Sequence, residues 1–408
     1  MPSSSASSPL SLFPILVLAL LSAVAPLATD MYLPGFPLLG RELGASATQV
    51  QMTLTGFLFG LALGQLIIGP LSDRYGRRRP LLIGTAINIL SSLLCIVAPS
   101  IETLILLRVM QGIGGAAGVV LARAVISDRT TDTNSAAKLF QVMMMIGGLA
   151  PVLAPIAGTG IVSVAGWRAV FVVIALLSTL SFIGVVRLIP ESLPEARRNT
   201  GGLGAFAGSV RGLLGNRCYI GYTLTTAFTF MVLFGYISAS PFVFQTVLGL
   251  SPTGYSLAFG TNAIGIALVS AVSAKLVDRV TPRRLAAAGL VLILAAAVAV
   301  MAAVLAEAGA WVMLPCLFVA IASLGLVLGN ASALAIGQAP HVAGTASAVL
   351  GATQFCLGAV ASPLTGLGGE DNALPMALVM IAAGVLSLAC FLLLTREREP
   401  EMMQHQPG

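Results

Sequence analysis

The sequence predicts an all-α membrane protein of twelve transmembrane helices arranged as two pseudo-symmetric six-helix bundles. Three observations predict it: the composition, the number of uncharged apolar runs, and the placement of the basic residues. Of 408 residues, 57% are hydrophobic and 9% charged, with a mean hydropathy of +0.98. That balance excludes a soluble enzyme of this length. Twelve runs are long and apolar enough to cross a hydrocarbon core of roughly 30 Å as helices: residues 11–33, 48–70, 80–98, 102–126, 137–163, 167–189, 217–240, 254–276, 285–306, 311–333, 343–366 and 373–395. With both termini cytoplasmic, eighteen of the twenty-one Lys and Arg fall at cytoplasmic loops or ends, Arg41 and Arg168 fall outside, and Arg108 lies within a span. Cytoplasmic loops of membrane proteins carry this excess, so the asymmetry sets the orientation. It also accounts for the net charge of +6 without any nucleic-acid partner.

The first run follows a Ser/Pro segment that lacks a charged leader and a cleavage signature, so it is expected to stay as a span. It closes in Thr29-Asp-Met-Tyr-Leu-Pro-Gly-Phe-Pro37, which carries the ionisable Asp30. Between the second and third spans runs Gly69-Pro-Leu-Ser-Asp-Arg-Tyr-Gly-Arg-Arg78, a glycine-bounded cationic turn. Charges this dense cannot sit in lipid, so the turn lies at a membrane face. Gly69 and Gly76 permit tight turns, and Asp73, among Arg74, Arg77 and Arg78, is placed to pair with a neighbouring loop or helix end and hold the inside closed.

The fourth span holds Arg108-Val-Met-Gln-Gly-Ile-Gly-Gly115. Ionisable residues inside a membrane are costly and mark function by default. Span 1 runs outward and span 4 inward, so Asp30 and Arg108 fall at similar depth in the outer half, where they are placed to pair. Arginine keeps its proton, whereas a carboxylate in an apolar cavity can gain and lose one. Asp30 is thus the candidate proton carrier and Arg108 the fixed charge beside it. The alternatives are an Asp30 wetted at the outer mouth and an Arg108 that ties down a backbone carbonyl. Span 5 carries Gly147, Pro151, Pro155 and Gly158 along one face, a bent and side-chain-poor surface suited to a gate, or a generic kinked span.

The polar stretch 187–217 divides the chain into bundles at 1–190 and 217–408 with a linker at 191–216. Leu276-Val-Asp-Arg-Val-Thr-Pro-Arg-Arg284 repeats the arginine turn between spans 8 and 9, without its glycines. Substrate contacts are read from the aromatic and methionine residues Tyr32, Phe228, Phe230, Met231, Phe234 and Tyr236, with the Met143–Met145 run, and from the buried polar Asn262, Asn330 and Gln354. Such surfaces adapt to varied apolar ligands, but lipid contact, packing and helix-to-helix hydrogen bonds explain them as well. The five cysteines are scattered, and the two histidines, His341 and His405, lie in a loop and the tail. No disulfide framework, metal site or histidine relay follows, and no catalytic constellation or nucleotide-binding loop is visible.

G-x-L-S-D-R-x-G-R-R, matched by Gly69, Leu71, Ser72, Asp73, Arg74, Gly76, Arg77 and Arg78, resembles the loop signature of the major facilitator superfamily. R-x-x-Q-G-x-G, matched by Arg108, Gln111, Gly112 and Gly114, is similar to the fourth-helix signature of its proton-coupled members. T-D-M-Y-L-P-x-x-P resembles the first-helix signature of the Bcr/CflA drug-resistance transporters. Ala154-Pro-Ile-Ala-Gly-Thr159 resembles the antiporter motif G-P-x-x-G-G without its outer glycines. The resemblance implies the major facilitator fold and a monomeric exporter in a bacterial inner membrane. It would exchange protons for small drugs such as phenicols or bicyclomycin, with no cofactor. Ser22 stands where some multidrug relatives carry a second carboxylate, which favours neutral or weakly polar drugs. A metabolite transporter of the same fold is the alternative.

Overall fold

The computed structural model describes residues 12–129, 133–198 and 202–395, with backbone alone at 12, 133–148, 197, 202–203 and 205. Among the described residues every regular element is helical: α1 Leu12–Asp30, α2 Phe36–Leu43, α3 Ala47–Tyr75, α4 Arg78–Ile96, α5 Ile101–Arg129, α6 Thr133–Ala165, α7 Arg168–Leu188, α8 Gly202–Leu214, α9 Arg217–Phe242, α10 Pro252–Leu276, α11 Pro282–Leu305, α12 Ala310–Ala322, α13 Leu324–Gly337, α14 Ala343–Leu364 and α15 Leu374–Leu394. Eleven helical stretches among the described residues are long and apolar enough to span a bilayer. The remaining expected span is α6, whose side chains are described only from Leu149 onward.

The helix starts carry their own signals. Ser46 caps α3 in a reciprocal box with Gln49, satisfying amides that the first turn leaves without partners. Ser251 and Thr281 cap α10 and α11 ahead of Pro252 and Pro282, where a proline's missing N–H costs nothing. The first span continues through a 3₁₀ turn, Leu33–Gly35, into the short α2. The tenth span is broken between α12 and α13 at Ser323, whose hydroxyl donates to the Val319 carbonyl at 2.6 Å.

One packing pattern occurs twice. In the first half α1 packs on α6 and α7, α3 on α5, and α4 on α5 and α7. In the second half α9 packs on α14 and α15, α10 on α12 and α13, and α11 on α12, α13 and α15. The same pairing holds at the corresponding positions of each set of six, which is the pseudo-symmetry expected of the two bundles. They meet along α3 with α14 and α6 with α10, and α8 lies across α3, α14 and α9. The ends of α3 and α7 and the starts of α4 and α9 share a face with α8, termed here the linker side. The opposite face, where α1 ends and α10 begins, is the far side.

Backbone-to-backbone contact fixes how α5 is turned. A side chain at Gly112 would run into the Phe57 carbonyl of α3, and one at Gly60 into the Val109 carbonyl of α5. Gly69, by contrast, faces open space. Gly112→Val is therefore expected to lower the melting temperature in detergent, since overpacking costs about 1–3 kcal/mol. Gly69→Ala is expected to leave it unchanged or raise it. Equal melting of both variants would show that the seam between α3 and α5 is not tightly packed.

Candidate functional site

Arg108 lies two turns into α5 and is fully buried. Its guanidinium donates to the Ala28 carbonyl of α1 at 2.9 Å, to the Thr53 carbonyl of α3 at 3.4 Å and to Gln111 Oε1 at 2.5 Å. The rings of Phe57, Tyr32 and Phe171 stand 4.3, 4.6 and 5.8 Å from its centre. The Thr53 hydroxyl donates to the Val50 carbonyl, so Tyr32 must donate to Thr53 at 2.6 Å, which fixes the ring. Gln111 is held in turn: its Nε2 donates to Ser92 Oγ at 2.7 Å. Asn88 donates to the Gln111 carbonyl at 3.1 Å and accepts from Ser178 at 2.8 Å. The positive charge is thus oriented by the surrounding helices and, among the described residues, paired with no carboxylate.

Asp30 ends α1 and is 4% exposed, so in this arrangement it is not wetted at the mouth. It belongs to none of the four ion pairs among the described residues. The pairing of Asp30 with Arg108 expected from their matched depth is not made. The guanidinium is committed to the helix backbone at Ala28, two residues earlier. Asn262 donates to the Tyr236 hydroxyl at 2.7 Å, and Tyr236 stacks on Phe259 at 5.6 Å.

The face of α6 that carries Pro151, Pro155 and Gly158 is bracketed by both halves. A side chain at Gly158 would strike the Met31 carbonyl, immediately after Asp30. The Pro155 carbonyl accepts from Ser256 of α10 at 3.0 Å, and Ser256 also meets the Thr159 hydroxyl. Gly147 and the Met143–Met145 run lie outside the residues whose side chains are described.

Of the residues read as substrate contacts, Tyr32 is fully buried beneath Arg108. Asn262 is bonded within its own half, as is Asn330, which donates to Ser273 at 2.7 Å. Phe230 and Phe234 of α9 meet Phe355 of α14 at centroid distances of 5.4 and 6.3 Å. Phe228, Met231 and Gln354 are partly buried. Phe355 was not singled out from sequence, because nothing in the apolar α14 marks it apart from its aromatic ring.

Hydrogen bonds between the halves, among the described residues, lie toward the far side. Gln51 of α3 donates to the Ser238 carbonyl of α9 at 3.1 Å, and its own carbonyl accepts from Ser362 of α14 at 3.0 Å. Thr55 donates to the Ala359 carbonyl at 3.0 Å, and Gln245 to the Pro34 carbonyl at 3.4 Å. A side chain at Gly366 would collide with Gln51. The far side is therefore closed.

On the linker side the arginine turn is clamped within the first half. Arg77 bonds Ser72 at 2.7 Å, Asp73 at 2.5 Å and Asp128 of α5 at 3.0 Å. Asp73 thus finds its partner four residues away in its own turn rather than in a neighbouring loop or helix end. Glu191, beyond the end of α7, accepts from the Arg77 amide at 2.8 Å and the Arg78 amide at 3.2 Å. Gly76 has φ of +90°, and any side chain there would strike the Glu191 carboxylate. Arg78 donates to the Val186 carbonyl, Arg74 lies over Tyr75, and Gly69 accepts from Ser72. Asp128 and Glu191 are readable in sequence only as acids near the ends of spans 4 and 6.

These features define a transporter rather than a receptor or a pore lining: two half-molecules, closed at one face, with a caged cation and a buried acid near their seam. The chain belongs to the Major Facilitator Superfamily, whose family model matches residues 18–363. It is 35% identical over 384 residues to an uncharacterized MFS-type transporter of Bacillus subtilis (strain 168), covering 94% of this chain and 95% of that one. It is 30% identical to a bicyclomycin resistance protein homolog of Haemophilus influenzae, covering 93% and 96%. It is 29% identical to a chloramphenicol resistance protein of Pseudomonas aeruginosa, covering 92% and 90%. The fold superposes on the crystal structure of a D-xylose-proton symporter with a TM-score of 0.77 at 17% identity, over 94% of this chain and 98% of that one.

Burial alone would raise the Glu191 carboxyl, but the amides of Leu193, Arg77, Arg78 and Ser192 hold it below the usual glutamate range. A lowered carboxyl contributes stability that is complete above its unfolded value and is lost as pH falls through the folded one. Glu191→Gln is expected to melt a few degrees below the parent near neutral pH, with the gap closing under acid. A gap that does not change with pH would mean that the carboxylate charge does not hold the turn.

Proposed function

We propose that the protein exports small neutral or weakly polar drugs from the cytoplasm in exchange for protons, by alternating access, with Asp30 as the proton carrier. The observation that carries this reading is that Arg108 grips the α1 backbone at Ala28, two residues before a buried Asp30 that joins no ion pair among the described residues. The substrate class follows the relatives named for bicyclomycin and chloramphenicol resistance, together with Ser22 in place of a second acid in α1. The linker side, which holds the arginine turn, is taken as cytoplasmic. The protein would then sit as a monomer in the inner membrane with both ends inside, using no cofactor and catalysing no reaction. Its bundles are assigned to 1–190 and 217–408, joined by 191–216.

Burying an unpaired carboxylate charge is costly, so closure of the far side over Asp30 favours the protonated acid. In the cycle, Asp30 accepts a proton from the outside as drug leaves. The halves rock, the proton passes to the cytoplasm, and drug binds again. The aromatic group Phe230, Phe234 and Phe355 at the seam of α9 and α14 supplies an apolar surface for the drug.

The test is drug susceptibility of an efflux-deficient bacterium carrying the parent chain or Asp30→Asn. Resistance to phenicols or bicyclomycin is expected with the parent and lost with Asp30→Asn at equal membrane expression. Undiminished resistance with Asp30→Asn would sink proton coupling at that residue. Arg108→Lys keeps the charge but not the planar fork, so it is expected to fail in the same assay.

The far-side latch gives an independent test. Gly366→Leu places a side chain against Gln51 and should bias the halves toward the state open on the far side. A cysteine placed at Thr55 is then expected to react faster with a membrane-impermeant maleimide added outside. Unchanged labelling would show that the contact between α3 and α14 does not gate that face.

A further inference from the structure

A groove of about 460 Å³ runs along the outer face of the first half between α1 and α7. Its walls are Phe13, Leu16 and Leu20 of α1 and Leu180 and Ile183 of α7, with Arg187 at the linker-side end. Phe13, Leu180, Leu16 and Ile183 are 68, 59, 44 and 43% exposed, so this surface is not covered by another part of the described protein. At Gly184, α7 has no side chain and Val17 of α1 closes against it, so the two helices approach closely where both residues line the groove. Phe13, Leu16, Val17 and Leu20 of α1 border it, over about 10 Å along the helix axis.

Charge is concentrated at one end. Arg187 belongs to none of the ion pairs and none of the hydrogen bonds among the described residues. Arg78 reaches the Val186 carbonyl at 2.7 Å, next to Arg187, and its Nε is buried without a partner. The acid close by in sequence, Glu191, has its carboxylate turned to the backbone amides at the start of α4. Arg187 therefore stands at the polar end of an apolar, membrane-facing cleft, Arg78 reaches the adjoining residue of α7, and among the described residues no carboxylate is ion-paired with either. Basic pockets between transmembrane helices at a membrane face are suited to anionic headgroups, and arginine matches phosphate bidentately.

We propose that this groove binds one anionic phospholipid, with its phosphate at Arg187 and Arg78 and one acyl chain along Leu16, Leu20, Leu180 and Ile183. The lipid would staple α1, which carries Asp30 at its other end, to α7, which precedes the Glu191 clamp. A zwitterionic headgroup fits less well, because its ammonium would meet uncompensated guanidiniums. This site is independent of the drug and proton assignments above.

The test is native mass spectrometry of the full-length protein after exposure to an equimolar mixture of phosphatidylglycerol and phosphatidylethanolamine. One phosphatidylglycerol is expected to be retained in preference. Arg187→Gln should reduce that retention about fivefold, the weight of one basic residue against an anionic lipid. Leu16→Trp, which fills the cleft, should reduce it as well, whereas Arg279→Gln at the linker-side end of the second half should not. Equal retention of both lipids, or retention of phosphatidylglycerol indifferent to Arg187→Gln or to Leu16→Trp, would overturn the proposal in favour of ordinary annular contact.

Discussion

An arginine cannot shed its proton, so a fold that buries one must solvate it with its own atoms. Arg108 is solvated by two backbone carbonyls, one amide oxygen and three aromatic faces, drawn from α1, α3, α5 and α7. Hydrogen bonds to a charged group contribute about 1.5–3 kcal/mol each, and a desolvated cation–π contact about 2. Together these are of the size needed to offset an effective desolvation cost of several kcal/mol. Removing any one leaves the cation undersolvated, so the helices of the first half are tied to a single geometry. Because neutral groups do the solvating, the cation is held in place without a carboxylate partner among the described residues.

That geometry depends on backbones lying closer than side chains would allow. Gly60 and Gly112 bring α3 and α5 into contact, which sets the rotation of α5 and aims Arg108 at Ala28. Gly158 brings α6 onto Met31, one residue beyond Asp30. The residue after the acid is therefore packed directly against a helix that carries Pro151 and Pro155. α6, which also bonds α10 through the Pro155 carbonyl, thus lies directly against the peptide that follows Asp30.

Spans and their order were legible because uncharged runs and clustered arginines are one-dimensional signals. The capped starts of α3, α10 and α11 were equally local. The break at Ser323 was not, since it does not interrupt the apolar pattern, nor was the short α2, which falls in the loop between the first two expected spans and carries Arg41 and Glu42. Asp30 and Arg108 stood out as ionisable residues inside spans, and Arg108 reaches α1 two residues before Asp30. Their pairing failed because depth fixes only one coordinate: the rotation of α5 about its axis is set by glycine contacts with a different helix. Glu191 and Asp128 act on Arg77 from 114 and 51 residues away. No local pattern records such a partnership, whereas the turn that receives them was plain. The Gln51 latch was invisible for the same reason, as its partners belong to the other half.

The two faces of the molecule are held by different kinds of interaction. On the linker side, charges are spent inside the first half: Arg77 on Asp73 and Asp128, and Glu191 on the start of α4. Such a clamp makes the half rigid and contributes nothing across the seam. On the far side the halves are joined by neutral side chains on backbone carbonyls, at Gln51, Thr55, Ser362 and Gln245. Each such bond contributes only about 1 kcal/mol net, and each can be exchanged for water when the face opens. A seam built this way sits close to balance, since no single bond dominates it. Strong ion pairs across the same seam would lock it, and among the described residues none crosses it.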